Sequence, residues 1–324
     1  MNIINRIGNK FIRVKMDIYS KFPFYYLIKS NTPLILMYHG IAPRSPIYLN
    51  ERHIYPEVFE QHLKYLRSFC NLVKVEDIFN NKIDKNKKNV AITFDDGYWN
   101  NLEYALPILE KYKVPAHFFI TGLNTTNQSI LWSDYHDLIA SSKVSEIKTN
   151  YGIFTRTNQK YMPFYSKSGE NLHAYLKGLS FEEKYKILNS GVDQDILLDE
   201  RMFPYWKLLT DREIIELSSS SFAFIGSHGF YHDNLGYLDR NNNYLELNRS
   251  KTYLENIVGK EIDTVAFPDG SYNKNTLEIA MELGYKYLLG VDPHKQDIDN
   301  YPLKKRIGLY MYETLSMQKV KMMK

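Results

Sequence analysis

The run Asn89-Val90-Ala91-Ile92-Thr93-Phe94-Asp95-Asp96-Gly97 decides how the rest of the chain is read. Five apolar or β-branched residues stand together, too few for a buried helix, and a carboxylate pair and a glycine end the run. This is the pattern of a strand covered on both faces. Leu34-Ile35-Leu36-Met37-Tyr38-His39 before it, and Pro115-Ala116-His117-Phe118-Phe119-Ile120 after it, have the same character. Between them lie two helical patterns. Residues 56–69 place Val58, Phe59, His62, Leu63 and Leu66 at helical spacing behind Pro56, a good first helical position. A second helix runs from about Leu102 to Tyr112. Strand, helix, strand, helix, strand implies a parallel sheet or barrel.

The alternation stops at Gly122. Residues 123–210 are polar, tyrosine-rich and irregular, with short helices expected at 135–142 and 180–190. They read as an insertion capping one face of the main domain. Order resumes at Asp211, read as the N-cap of the helix beginning Arg212-Glu213-Ile214. Strands follow at 222–228, 264–268, 285–291 and 306–310, with helices at 241–258 and 274–283, the latter stopped by Gly284. A chain of 324 residues fits one large α/β domain carrying an insertion. We expect a segment 1–32 followed by a barrel domain over 33–324.

Bulk properties exclude some classes of function. A net charge of +4 and no arginine stripe give no footprint for nucleic acid. Cys70 is the only cysteine, so no intramolecular disulfide forms. Placed at the end of the Leu66-Arg67-Ser68-Phe69 helix, it reads as a buried structural thiol. No run reaches the ~18 apolar residues of a membrane span, and Met1 to Asn31 shows no secretory pattern. The expected location is therefore the cytoplasm. Phe22-Pro23-Phe24-Tyr25-Tyr26 beside Lys10, Arg13, Lys15 and Lys21 is a candidate peripheral contact with the inner membrane face.

Polar clusters fall where the parallel strands end: His39, the pair Asp95-Asp96, and His228 with His232. In parallel barrels that end carries the active site. Burying adjacent carboxylates is costly unless a cation or donors offset it. His228-Gly229-Phe230-Tyr231-His232 would put both imidazoles on one face of a helical turn. With Asp96 they offer two nitrogens and one oxygen, a common zinc set with positions left for water and substrate. Cobalt, nickel or iron would also fit one such divalent site. Trp132 opens the insertion and reads either as a sugar-stacking surface or as the residue seating the insertion on the barrel.

Thr93-Phe94-Asp95-Asp96-Gly97, Ser227-His228-Gly229-Phe230-Tyr231-His232-Asp233 and Phe267-Pro268-Asp269-Gly270 together resemble the motifs of the polysaccharide deacetylases, the NodB-homology carbohydrate esterases. The resemblance covers roughly residues 33–122 and 211–310. It implies a distorted (β/α)7-type barrel and metal-dependent removal of an N-acetyl or related acyl group from an amino sugar. The substrate would be an acetylated glycan or sugar precursor, in surface polysaccharide biosynthesis. It further implies Asp95 as base, Asp96, His228 and His232 as metal ligands, and the backbone N–H of Asp269 facing the oxyanion. Leu36-Met37-Tyr38-His39-Gly40 resembles the N-terminal motif of a circularly permuted subgroup acting on exopolysaccharide, in which this histidine is the acid. His294 is the competing acid.

Three departures stand out. Gly229 replaces a Ser or Thr whose hydroxyl braces the loop. Ala266 stands where many members hold an arginine beside the catalytic Asp, and Arg306 is the candidate to reach that Asp from the last strand. Asp269 replaces an aromatic residue. A catalytically silent glycan-binding barrel, and a deacylase of nucleotide- or lipid-linked sugars, are the alternative readings.

Overall fold

Strand β1 (Leu34–Tyr38) buries all five of its residues and β3 (Lys88–Phe94) all seven, as the continuous apolar runs require of strands covered on both sides. The computed structural model describes residues 31–44, 51–128, 130–150, 152–159, 162–189, 200–291 and 301–323. Segment 1–30, with the expected membrane contact, and His294 lie outside the described residues.

Seven strands form a closed, all-parallel ring: β1, β3, β4 (Ala116–Ile120), β8 (Ala223–Ser227), β9 (Thr264–Ala266), β10 (Tyr287–Val291) and β11 (Leu303–Gly308). Closure comes from β1, which pairs with β3 from Leu34↔Val90 to Tyr38↔Phe94 and with β11 at Leu36↔Ile307. The expected barrel is thus present. Alternate residues along the strands divide into two buried clusters. Leu36, Ile92, Phe94 and Phe118 pack toward the helices, Phe94 stacking on Phe118 at 4.9 Å. Ile35, Ala91, Phe119, Ala266 and Leu289 form the other cluster, which α2 (Val75–Phe79) joins through Val75 and Ile78. Phe79 meets Tyr287 and Lys304 at the starts of β10 and β11, so α2 covers the end of the ring remote from the strand C-termini.

Helix α1 (Pro56–Phe69) follows expectation, but Cys70 does not end it in a helical conformation. Cys70 opens a three-residue strand, β2 (Cys70–Leu72), added to the start of β3 at Cys70↔Lys88, and its side chain is buried. The cap of α8 (Asp211–Ser219) is Thr210, whose side chain accepts from Glu213 N–H in a capping box, and not Asp211. Helices α3 (Leu106–Tyr112), α9 (Arg240–Val258), α10 (Lys274–Glu282) and α11 (Leu315–Met323) surround the ring. Sequence reading missed α2 and α11.

The insertion is more ordered than its composition suggests. It holds α4 (Trp132–Ser141), an antiparallel sheet of β5 (Glu146–Thr149), β6 (Gly152–Arg156) and β7 (Phe164–Ser166), then α5 (Leu172–Lys177), α6 (Phe181–Asn189) and α7 (Phe203–Trp206). Its apolar residues form their own cluster, including Trp132, Tyr135, Phe154, Phe164, Leu176 and Tyr185, and this cluster meets the barrel at Ala42 and Tyr98. The expectation of irregular structure is corrected on this point.

Candidate active site

The chain turns sharply where β3 ends. Asp96 and Gly97 take left-handed conformations in succession, at φ 78° and 79°. Gly97 has a second constraint, since a Cβ there would meet Ile120 Cγ2 at 2.9 Å. A non-glycine residue at positive φ is strained and persists only where its surroundings fix it. Here Asp95 N–H is held by Tyr38 O at 3.0 Å. The turn aims both carboxylates into the mouth of the ring, where Asp95 and Asp96 are almost fully buried.

Arg306 of β11 reaches Asp95 as the sequence suggested. Its Nη1 and Nη2 donate to Oδ1 and Oδ2 at 2.5 and 2.7 Å, a two-pronged pair whose planar fork matches a carboxylate. Burial pushes the Asp95 carboxyl upward, but Arg306 and His228 outweigh it and hold the group below its ordinary range. Arg306 is not among the residues lining the open cavity; it lies behind Asp95, its Nη1 also donating to Thr93 Oγ1 at 3.2 Å.

His228 follows β8, its backbone N–H held by Ile120 O at 3.0 Å. Its Nδ1 lies 2.7 Å from Ala266 O. A carbonyl only accepts, so Nδ1 carries the proton and Nε2 presents its lone pair. That Nε2 lies 3.4 Å from Asp96 Oδ1, and His232 Nε2 lies 3.3 Å from the same oxygen. Residues 228–232 are not helical. Left-handed Gly229 (φ 72°) and His232 (φ 58°) fold the loop back instead and set the two rings 5.0 Å apart. Burial works against a proton on His228, yet Asp95 and Asp96 outweigh it and raise its pKa.

The donor set fits a divalent cation. One ligand atom each of Asp96, His228 and His232 lies within 4.8 Å of the others, and Asp96 Oδ1 is buried with no hydrogen-bond partner among the described residues. The set is two nitrogens and one carboxylate oxygen, all at nearly covered residues.

These residues form the floor of a cavity of about 600 Å³. His39, at the end of β1, lies on its wall with its ring 6.0 Å from that of Tyr310. Burial lowers the His39 pKa to about 4 although Asp96 and Asp95 pull it up. Trp132 and Asp269 also face the cavity. Trp132 is buried in the insertion's cluster as well, its ring 4.9 Å from His173, so it both lines the wall and seats the insertion. Asp269 stands at φ 55° and pairs with Lys177 of α5 at 3.1 Å. Burial opposes its charge, but His232 and Lys177 hold the carboxyl low.

Sequence reading did not single out Arg52, Asp134, Lys184 or Glu246. Arg52 lines the cavity and is paired with Asp134 of α4, which also accepts from Tyr98 OH at 2.7 Å. This contact joins barrel to insertion across 82 positions, so no local pattern could have shown it.

Fold and site together define a parallel α/β-barrel protein with a carboxylate–imidazole cluster at its strand ends. The model of the polysaccharide deacetylase family matches residues 82–151 and 203–288 of this chain, on either side of most of the insertion. YxkH of Bacillus subtilis, named for the same family, is 35% identical over 102 residues, covering 29% of this chain and 35% of YxkH. The chain thus spans about a third of that relative's length. A poly-β-1,6-N-acetyl-D-glucosamine N-deacetylase of Staphylococcus aureus is 26% identical over 53% of this chain and 74% of its own. Among solved structures, IcaB from Ammonifex degensii superposes with a TM-score of 0.55 at 16% identity, over 90% of this chain and 97% of that one. The deacetylase PplD of Streptococcus pyogenes, in complex with acetate, gives 0.53 at 19%, over 89% and 97%. These two likenesses bear on the fold.

Proposed function

We propose that this protein hydrolyses the N-acetyl group of an amino sugar within a glycan, and that it requires one divalent metal, zinc in the first instance. One observation carries the reading. Asp96 Oδ1, His228 Nε2 and His232 Nε2 converge beside an ionised Asp95 on the floor of an open cavity. The family match supports the reaction class. The Staphylococcus aureus relative, named for a poly-N-acetylglucosamine, supports the substrate class.

Asp96, His228 and His232 would hold the metal, which when bound supplies Lewis-acid activation of water and of the acyl carbonyl. The chain's own groups do the rest. Asp95, kept ionised by Arg306, accepts a proton from the attacking water. Asp269 lines the cavity, and its backbone N–H would donate to the developing oxyanion. His39 faces the leaving amine. With its pKa near 4 it rests neutral at pH 7, so its proton must arrive during turnover. The proton that Asp95 takes from the attacking water is the one the reaction makes available. The insertion, through Trp132 and its neighbours on the wall, caps the cavity and shapes the sugar's binding surface.

Two measurements test this. Elemental analysis should find about one transition metal per chain, lost in His232→Ala. Acetate should be released from β-1,6-linked N-acetylglucosamine oligomers, with cobalt, nickel or iron tested as replacements. Metal in neither protein, even after added zinc, would remove the ligand assignment. Glycan binding without acetate release would make the silent barrel the better reading.

A further inference from the structure

His232 sits in a left-handed conformation within a loop that has no secondary structure of its own, so something outside the loop must hold it. Two side chains do. Glu246 of α9, only 4% exposed, accepts from Tyr231 N–H at 2.7 Å and from Asp233 N–H at 3.4 Å, through the same oxygen. It grips the backbone on both sides of His232. The glycine in the loop is part of this arrangement, because a Cβ at Gly229 would lie 3.0 Å from that Glu246 oxygen. The carboxylate thus occupies the space that a side chain at position 229 would use to brace the loop.

The second side chain comes from the insertion. Lys184 of α6 donates to Asp233 Oδ1 at 2.7 Å, with side chains 2% and 10% exposed, and its Nζ lies 5.5 Å from the Trp132 ring. Two carboxylates, Glu246 and Asp233, are therefore buried around one loop, and Lys184 is the cation set among them. Removing one partner of such a buried pair leaves a charge without compensation, and the backbone that carries it shifts to reach water. Here that backbone is the residue next to His232.

We propose that Glu246 and Lys184 are positioning residues for His232, so that the insertion, through Lys184, sets how tightly the site holds its metal. This rests on the metal-site reading above. Groups behind a ligand commonly alter metal affinity by about 10–100-fold, and a loop histidine with no helix behind it depends on them fully.

The test is titration of the metal-stripped full chain with Zn²⁺ against a chelating indicator, and with Co²⁺ followed by its visible absorption. Wild type should bind one ion. Lys184→Met and Glu246→Leu should bind at least about tenfold more weakly and shift the Co²⁺ bands. Glu246→Gln, which keeps an accepting oxygen, should stay close to wild type. In an Asp233→Asn background, Lys184→Met should cost little more, because its effect passes through Asp233. Thermal unfolding of the metal-free proteins checks that each variant folds. If Lys184→Met does not fold, the Gln/Leu pair at 246 and the double variant decide. One ion per wild-type chain with unchanged affinity and spectrum in Lys184→Met and Glu246→Leu would overturn the proposal and leave the metal site standing. No ion in wild type would remove the metal reading itself.

Discussion

The barrel and the insertion bury their sheets in different ways. Every residue of β3 is buried, whereas β5 and β6 each bury one residue and leave the others partly or fully exposed. The barrel strands are held from both faces, and their C-terminal ends are fixed points on which Asp95, Asp96 and His228 can be set without freedom to drift. The insertion's strands rest on one thin apolar layer, and what they bring to the site is a wall and a few long charged side chains. Chemistry is assigned to the rigid part and substrate shape to the adaptable part, in keeping with the general division between scaffold and loops. Substitutions on the barrel side should strike turnover, and those on the insertion side should strike binding and stability.

The sharpest way to break that division is Asp95→Asn. It preserves size and removes the proposed base, so kcat should fall by roughly 10²–10⁴-fold while metal content stays near one per chain. Full activity would remove Asp95 from the mechanism. Arg306→Met comes next. It strands a buried carboxylate, an effect of about 3–5 kcal/mol in such pairs. With the guanidinium gone the Asp95 pKa must rise, so the acid limb of the kcat/KM profile should move to higher pH. An unmoved limb would mean that Arg306 does not keep Asp95 ionised.

On the insertion side, Trp132→Ala should cost about 3–5 kcal/mol in chemical denaturation and raise KM more than it lowers kcat. The reverse pattern would put the insertion into the chemistry. A further effect separates barrel stability from catalysis. His62 is buried between Tyr38 OH and Gln318 Oε1, and burial brings its pKa down to about 4 from an ordinary 6.5. Between those values the unfolded chain binds more protons than the folded one, so stability falls as pH drops from 6.5 toward 4, by up to about 3 kcal/mol. His62→Gln should flatten that slope in denaturation curves taken across the window. The smallest effect should come from Lys177→Met. Its pair with Asp269 is partly exposed, at 35% and 26%, and should be worth less than about 1 kcal/mol, visible as a change in KM of a few-fold.

The barrel was legible because a strand covered on both faces must be apolar throughout, and residues 34–38, 90–94 and 116–120 announce that in any context. The carboxylates and histidines were legible because polar groups at the ends of such runs have no packing explanation. The insertion was not. Glu146-Ile147-Lys148-Thr149 buries only Ile147, too weak a period to separate strand from loop. β2 has three residues, too short to leave a pattern at all. The spacing of His228 and His232 pointed to a helical turn, but two left-handed residues bring the rings together by another route. Arg52, Lys184 and Glu246 were invisible for a different reason: each acts on a partner that only the fold brings near.

The ring closes at a seam between β1 and β11, and Asp95 meets Arg306 across 211 positions of chain. During synthesis both carboxylates and both histidines leave the ribosome well before the arginine does. Until residue 306 emerges, Asp95 lacks the guanidinium that pairs with it, and β1 lacks one of its two neighbours. The hydrolytic centre is therefore the last part of the barrel to mature. A nascent chain can carry most of the reactive groups for some time and remain inert until its final strand docks.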